Sequence, residues 1–248
     1  MRELILRADD LGYSRGVNYG IRDAVEAGLI QTVGVMIAMP EAGHGLRLMD
    51  TQRLCLGLHF TACCGRPACD PAQVPSLVDE EGFFHSSHYY RSAGEDFVSE
   101  KEAGLEVRAQ MEKFIGLVGR KPDYLDCHAA ITPKLARALE ETAGEYGVKY
   151  SAIPADWTQQ VQVGGRMVRY FGGSVPDKTP LEQLQAIVDC PEEGCGIVIY
   201  HPGYLDEIIM TASSLTYPRI HETAMLCSDE ARGLLQKSAA KCITYREL

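Results

Sequence analysis

Short apolar runs rich in β-branched residues alternate along this chain with longer segments whose apolar residues recur at helical spacing, and this alternation constrains the fold more than any other feature. Repeated strand, loop and helix units build a mostly parallel sheet covered by helices. Leu4 to Leu6 opens a buried strand that runs to Ala8-Asp9-Asp10, and Ser14 caps a helix through Val17, Ile21 and Val25 that stops near Gly28. Residues 33–37, 54–60 and 124–127 read as further strands, the last after an amphipathic stretch over 100–118. Residues 133–146 read as a helix, 149–152 and 166–171 as weaker strands, and 196–200 as a buried strand. The chain then closes with one helix over 218–237 and an apolar piece at 242–245.

Seven or eight strands in 248 residues fit one closed or distorted α/β barrel of the TIM type, spanning residues 1–248 as a single domain. Residues 67–98 interrupt the pattern as a long insertion rich in Pro, Gly, Asp and His, with a hairpin at Glu81-Gly82. Loops of this length in compact enzymes often act as lids.

A formal net charge of −10 and the lack of any basic run argue against a nucleic-acid partner, for which affinity comes largely from clustered Lys and Arg. The opening MRELILRADD is too short and too soon acidic for a signal peptide or a membrane span, so a cytoplasmic protein without membrane attachment is expected. Nine cysteines, odd in number and lacking any C-x-x-C pair, read as reduced thiols and not as a disulfide framework or a structural zinc site.

The chemistry lies at the strand ends. Asp9 and Asp10, His59, Asp126 and His128, and His201 all terminate strands, and in parallel α/β folds those ends gather at one face. Asp9 alone would serve as a helix cap and His59 alone as a core histidine, but several such residues at strand ends together favour a site. Asp10, His59 and His128 form a carboxylate and imidazole set suited to a divalent ion with an open position for water. Asp9 and Asp10 are neighbours and face opposite ways in a regular strand, so both serve one site only where the strand breaks, for which Gly12 gives an opening. Asp9 is then the base that takes a proton from a water acidified by the ion, and His201 the acid on the other side. His44, His85, His88 and His221 read as solvated. Arg219 and Glu222 read as a surface pair on one helix face, with Arg219 reaching substrate if that helix borders the pocket.

These motifs coincide with a known family. Arg7-Ala8-Asp9-Asp10-Leu11-Gly12 followed by Gly16-Val17-Asn18-Tyr19-Gly20-Ile21, then Gly57-Leu58-His59 with Gly65-Arg66-Pro67, then Gly119-Arg120-Lys121-Pro122 leading to Leu125-Asp126-Cys127-His128, and finally His201-Pro202 and Tyr217-Pro218-Arg219, stand in order along nearly the whole chain. The sequence resembles the YdjC-like carbohydrate deacetylases, of the chitooligosaccharide deacetylase type. The resemblance implies a TIM-barrel-like fold related to polysaccharide deacetylases, a homodimer, and removal of an acetyl group from a small N-acetylglucosamine oligosaccharide such as diacetylchitobiose. It also implies Asp9 as base, Asp10, His59 and His128 as ligands of Mg2+, and His201 as acid. By softness, the two imidazoles and one carboxylate suit Zn2+, Mn2+ or Co2+ equally.

The sequence departs from the family at Ala129-Ala130-Ile131-Thr132, where relatives commonly carry further histidines, and in having Cys63 and Cys64 beyond His59. Tyr204 and the pair Tyr89-Tyr90 are candidates for stacking on sugar rings. Two other readings of the scaffold are a sugar isomerase, which would leave the acetyl group in place, and an inactive relative that binds sugar or metal without turnover.

Overall fold

The computed structural model describes residues 2–154, 156, 159–172, 177–190 and 193–248. β1 (Arg2–Leu11) leads into α1 (Arg15–Glu26), whose first turn is closed by the Ser14 hydroxyl accepting from the Val17 N–H. β2 (Thr32–Val35), α2 (Ala42–Arg47) and β3 (Cys55–Phe60) follow, and the insertion then contributes the short α3 (Ser87–Ser92). α4 (Glu100–Val118) returns the chain to β4 (Tyr124–Cys127), ending on Gly119 in the left-handed conformation that stops a helix. α5 (Pro133–Tyr146) starts on a Thr132 cap, and β5 (Lys149–Tyr150), β6 (Gln160–Val163) and β7 (Arg166–Phe171) come next. The remainder is α6 (Pro180–Asp189), β8 (Gly194–Tyr200), α7 (Glu207–Ala212), α8 (Tyr217–Leu226), α9 (Asp229–Lys237) and β9 (Lys241–Cys242).

The strands form one sheet in the order β5-β4-β3-β2-β1-β8-β7-β6, with β9 pairing to the start of β1. Every pair is parallel except β6 with β7, which form a hairpin through Gly164-Gly165, both at positive φ, the geometry a two-residue turn demands. The sheet curls until its ends approach. Ser151, just past β5, hydrogen-bonds to the Tyr170 hydroxyl on β7, and its Oγ lies 2.8 Å from the Tyr245 hydroxyl. The result is a mixed, nearly closed barrel of the distorted TIM type, joined across the gap by side chains instead of a backbone ladder.

Alternation along the strands decides what fills it. Leu4, Leu6 and Ala8 pack outward in the large core beneath the helices, whereas Ile5 packs inward with Tyr124, Tyr170, Ile197 and Tyr245. Tyr124 and Tyr245 stack at 3.9 Å, and Gly57 makes room for them, since a Cβ there would sit 2.1 Å from the Tyr124 ring. These rings fill the lower interior, and the barrel opens into a cavity at the carboxyl ends of its strands.

Several expectations are corrected. Residues 218–237 are two helices, because Ser228 accepts from the Ala231 N–H and opens α9 with Asp229 and Glu230 in its first turn. Residues 242–245 do not form a closing strand: β9 is Lys241–Cys242, and Tyr245 turns into the barrel. The Glu81-Gly82 hairpin is present, with Val78 bridged to Phe84 and the Asp79 N–H donating to Phe83 O. Among the described residues no helix is long and apolar enough to cross a membrane.

Asp123, at the entrance to β4, ties the barrel base to the C-terminal tail. Its carboxylate accepts from the Leu56 N–H at 2.9 Å, from Arg120 at 3.1 Å and from Arg246 at 3.0 Å. Burial alone would raise its pKa, but Arg246, the Leu56 N–H and Arg120 together hold it below the ordinary value. A carboxylate depressed in this way stabilises the fold fully above its unfolded pKa and loses that contribution as pH falls through the folded one. Asp123→Asn is therefore expected to cost about 1–3 kcal/mol at neutral pH. Thermal melts across pH should show the gap to the parent closing below about pH 4; equal melting temperatures at pH 7 would refute the assignment.

Candidate metal centre and active site

The problem of two adjacent aspartates is solved by a bulge. β1 pairs Arg7 with Thr32 and Ala8 with Val33, but then skips to pair Leu11 with Val35, and Asp10 sits at φ 78°. A left-handed residue at this point breaks the alternation, and aspartate tolerates that conformation better than most. Asp9 and Asp10 consequently both border one cavity, each at most 1% exposed. Gly34 on β2 opens space for Asp9, because a Cβ there would lie 2.5 Å from Asp9 Oδ1.

His59 ends β3 and His128 follows β4, and both turn toward Asp10. Asp10 Oδ1 lies 2.9 Å from His128 Nδ1 and 3.4 Å from His59 Nε2, and the two ring nitrogens are 3.2 Å apart. Two donor atoms, each about 2.1 Å from a shared ion, stand about 3.0–3.4 Å apart at angles of about 90–109°. The triangle thus has the size of a metal-ligand face. Among the described residues Asp10 Oδ1 finds no aligned hydrogen bond despite its close neighbours, as expected where donor atoms converge on a point instead of on one another. Behind the face, Asp126 Oδ1 accepts from His59 Nδ1 at 2.9 Å. The carboxylate can only accept, so it fixes the proton on Nδ1 and leaves Nε2 free for an ion.

The charge balance also favours a cation. Asp9, Asp10 and Asp126 are buried against two buried guanidiniums, Arg7 and Arg219. Arg7 Nη2 bridges Asp9 Oδ2 at 2.7 Å and Asp126 Oδ2 at 2.8 Å, while Arg219 Nη2 reaches Asp10 Oδ2 at 2.7 Å. Burial opposes ionisation of Asp10, but His128 and Arg219 overcome it and hold the carboxyl well below its usual range. Burial likewise opposes charge on His59, yet Asp126 and Asp9 raise its pKa well above the ordinary value. The floor attracts positive charge, as a cation site must.

His201 follows β8 and borders the same cavity of about 390 Å³. Burial lowers its pKa against the pull of Asp10 and Asp9. Its backbone N–H donates to Glu222 Oε2, whose own carboxyl burial pushes up to about 7. Arg219, at 1% exposure, also donates from Nε to Leu215 O at 2.9 Å. Arg219 and Glu222 therefore share a helix face as expected, but that face is turned inward on the site and is not a surface pair.

The structure brings Asp9, Asp10, His59, His128, His201 and Arg219 together around one cavity, with Asp126 behind them. Tyr204 lies apart: its hydroxyl donates to Asp23 Oδ2 at 2.6 Å on α1. His88 and His221 are exposed, but His85 stacks on Tyr89 at 4.3 Å and His44 lies 3.1 Å from the Asn18 side-chain amide. Ser87 of α3 reaches the cavity wall, so the insertion borders the site. Sequence reasoning missed Arg7 and Glu222 as parts of the site. The signal for Arg7 was its position between the buried run Leu4-Ile5-Leu6 and Ala8-Asp9, where an arginine needs an internal carboxylate partner.

The sequence model described as YdjC-like protein matches residues 3–237. A carbohydrate deacetylase of Geobacillus stearothermophilus is 31% identical over 252 residues, covering 99% of this chain and 98% of that protein. A chitooligosaccharide deacetylase of Yersinia enterocolitica is 29% identical over 98% of each chain. Among solved structures, an Enterococcus faecalis protein provisionally described as a cellobiose-phosphate cleavage protein matches with a TM-score of 0.84 at 23% identity, over 99% of this chain and 98% of that one. A family 4 acetyl xylan esterase of Clostridium thermocellum, solved with a cobalt ion, shares the fold at a TM-score of 0.53 and 12% identity, over 99% and 89%. With the family match running through the bulged Asp9-Asp10 pair and both histidines that face it, this chain belongs to the YdjC-like protein family.

Proposed function

We propose that the protein is a metal-dependent carbohydrate deacetylase that hydrolyses the N-acetyl group of a small N-acetylglucosamine oligosaccharide such as diacetylchitobiose. The observation that carries this reading is the convergence of Asp10, His59 and His128 on one face, with Asp9 and His201 bordering the same cavity. Near-full-length relatives named for carbohydrate and chitooligosaccharide deacetylation support it. Asp10, His59 and His128 would hold a divalent ion, Mg2+ by family resemblance, with Zn2+, Mn2+ and Co2+ equally suited to two imidazoles and a carboxylate. When bound, such an ion polarises the amide carbonyl and acidifies water.

The chain's own residues supply the proton transfers. Asp9 is anchored through Oδ2 by Arg7, and its Oδ1 has no hydrogen-bond partner among the described residues, which supports a role for that oxygen in taking a proton from the attacking water. His201 donates a proton to the departing amine nitrogen, and its lowered pKa makes it a ready donor once protonated. Arg219 holds Asp10 in place through its second oxygen. The products are acetate and a free amino sugar. Tyr13, Ile153 and Leu215 give the cavity apolar walls against which a sugar face can lie, and Ala129 lines it where the family resemblance expects a histidine. A cytoplasmic, homodimeric enzyme completes the reading; the free thiols of Cys63, Cys64, Cys69 and Cys127 suit a reducing compartment.

The test is acetate release from diacetylchitobiose by metal-stripped protein with Mg2+, Zn2+, Mn2+ or Co2+ returned. Release is expected with at least one ion and should vanish in His128→Ala. Asp9→Asn should lower kcat by about 10²–10⁴ while sparing metal binding, and retained activity would remove Asp9 as the base. Conversion of the sugar without acetate would favour an isomerase, and binding without turnover an inactive relative.

A second measurement addresses the ion itself. Asp126→Asn removes the charge that orients His59 and should weaken divalent-ion binding by about 10–100-fold, read by titration of the metal-free protein. An unchanged Kd in a folded variant would show that Asp126 does not set the imidazole.

A further inference from the structure

The loop after β3 brings two thiols to the imidazole that also faces Asp10. Residues 61–65 leave the extended strand, so the neighbours Cys63 and Cys64 are freed from the alternation that would turn their side chains apart. One sulfur from each and one ring nitrogen of His128 lie within 4.8 Å of one another. Cys64 Sγ stands 3.1 Å from Thr61 Oγ1, and Cys63 Sγ stands 3.7 Å from the His128 carbonyl oxygen, so neighbouring groups hold both sulfurs. Both are free thiols, Cys63 buried and Cys64 half-buried, and the hydrolytic reading gives neither any work.

The two donor sets that meet at His128 differ in kind. Asp10, His59 and His128 offer a hard oxygen and two nitrogens, whereas Cys63, Cys64 and His128 offer two soft sulfurs and one nitrogen. Thiolates select soft or borderline ions and bind Mg2+ poorly. Two thiolates also cancel the charge of a divalent ion, removing much of the cost of burying it. Three protein donors leave a fourth tetrahedral position for water.

We propose that Cys63, Cys64 and His128 form a second, thiophilic site for a soft divalent ion such as zinc or cadmium, and that an ion held there withdraws His128 from the hydrolytic set and lowers turnover. Binding converts both thiols to thiolates and releases their two protons to solvent. The inhibitory half rests on the deacetylase reading; the binding half does not.

The probe is Cd2+ added to the reduced full-length protein in Mg2+ buffer. Wild type should show thiolate-to-cadmium charge-transfer absorbance that saturates at one ion per chain, and C63S/C64S should lack it. No absorbance in wild type, or the same absorbance in the double variant, would overturn the site. Should the double variant not fold, C64S at the half-buried position should reduce the signal to roughly half, and an undiminished signal there would equally overturn it. Acetate release by wild type should fall in step with the absorbance, while C63S/C64S should keep its basal release and need about tenfold more cadmium for the same inhibition. Saturation without loss of turnover would overturn the withdrawal of His128. Absence of acetate release under every metal condition would count against the deacetylase reading, while the absorbance would still decide the site.

Discussion

One buried guanidinium holds the centre of this molecule together. Arg7 is 1% exposed and reaches Asp9, Asp126 and the Tyr245 hydroxyl, at 2.7, 2.8 and 2.8 Å. Through these contacts it joins the proposed base, the carboxylate that orients His59, and the C-terminal tail that fills the barrel. Such a group is a poor source of net stability, since burying the charges costs about as much as their attraction returns. Its value is positional: removing one partner would leave uncompensated charge inside the barrel, at a cost of about 3–5 kcal/mol. The network continues from Tyr245 to Ser151 and Tyr170, which are also the contacts across the barrel gap. Closure of the barrel and placement of the site are thus parts of one hydrogen-bonded system.

The opposite side of the site is fixed by α8. Arg219 and Glu222 are three residues apart and share a face. Arg219 grips the outer oxygen of Asp10, and Glu222 takes the backbone N–H of His201. One helix therefore sets the position of both a metal-ligand candidate and the proposed acid. The break at Ser228 matters here, because α8 ends with its inward residues at the site while α9 packs Ala231 and Leu235 into the core.

Much of this was legible in the sequence where a local rule carried the information. The buried strands, the Ser14 cap and the boundaries of α4, β4 and α5 follow from periodicity and capping, and each strand-end histidine or aspartate that pattern singled out borders the cavity or stands behind it. What escaped depends on partners far along the chain. Arg7 is a charge in a strand until Asp126 and Tyr245 are placed beside it, and Arg219 with Glu222 looks like any surface pair until α8 is turned inward. Tyr204 failed for the same reason: nearness to His201 in sequence says nothing of Asp23, which its hydroxyl meets. Other omissions were readable. Gly164-Gly165 between apolar runs is a hairpin signal, and Thr179-Pro180-Leu181-Glu182 is a capping box that opens α6.

The cavity divides along the same line. Its floor comes from strand ends and a bulge, whose geometry the barrel dictates, and there the donor atoms meet within tenths of an ångström of a metal-ligand face. Its walls come from segments the barrel barely constrains: Ser87 from the insertion, Ala129 at φ 53° just after His128, and Ser213 to Leu215 between α7 and α8. A change in the floor disturbs at once the buried network that joins Arg7, Asp9, Asp126, His59, Asp10 and Arg219, whereas a change in the walls alters only the shape and polarity met by a ligand. The chemistry of such a fold is therefore set by its strands and its choice of ligand by its loops, so substitutions in the wall, as at Ala129, would bear on which ligand fits and leave the floor groups in place.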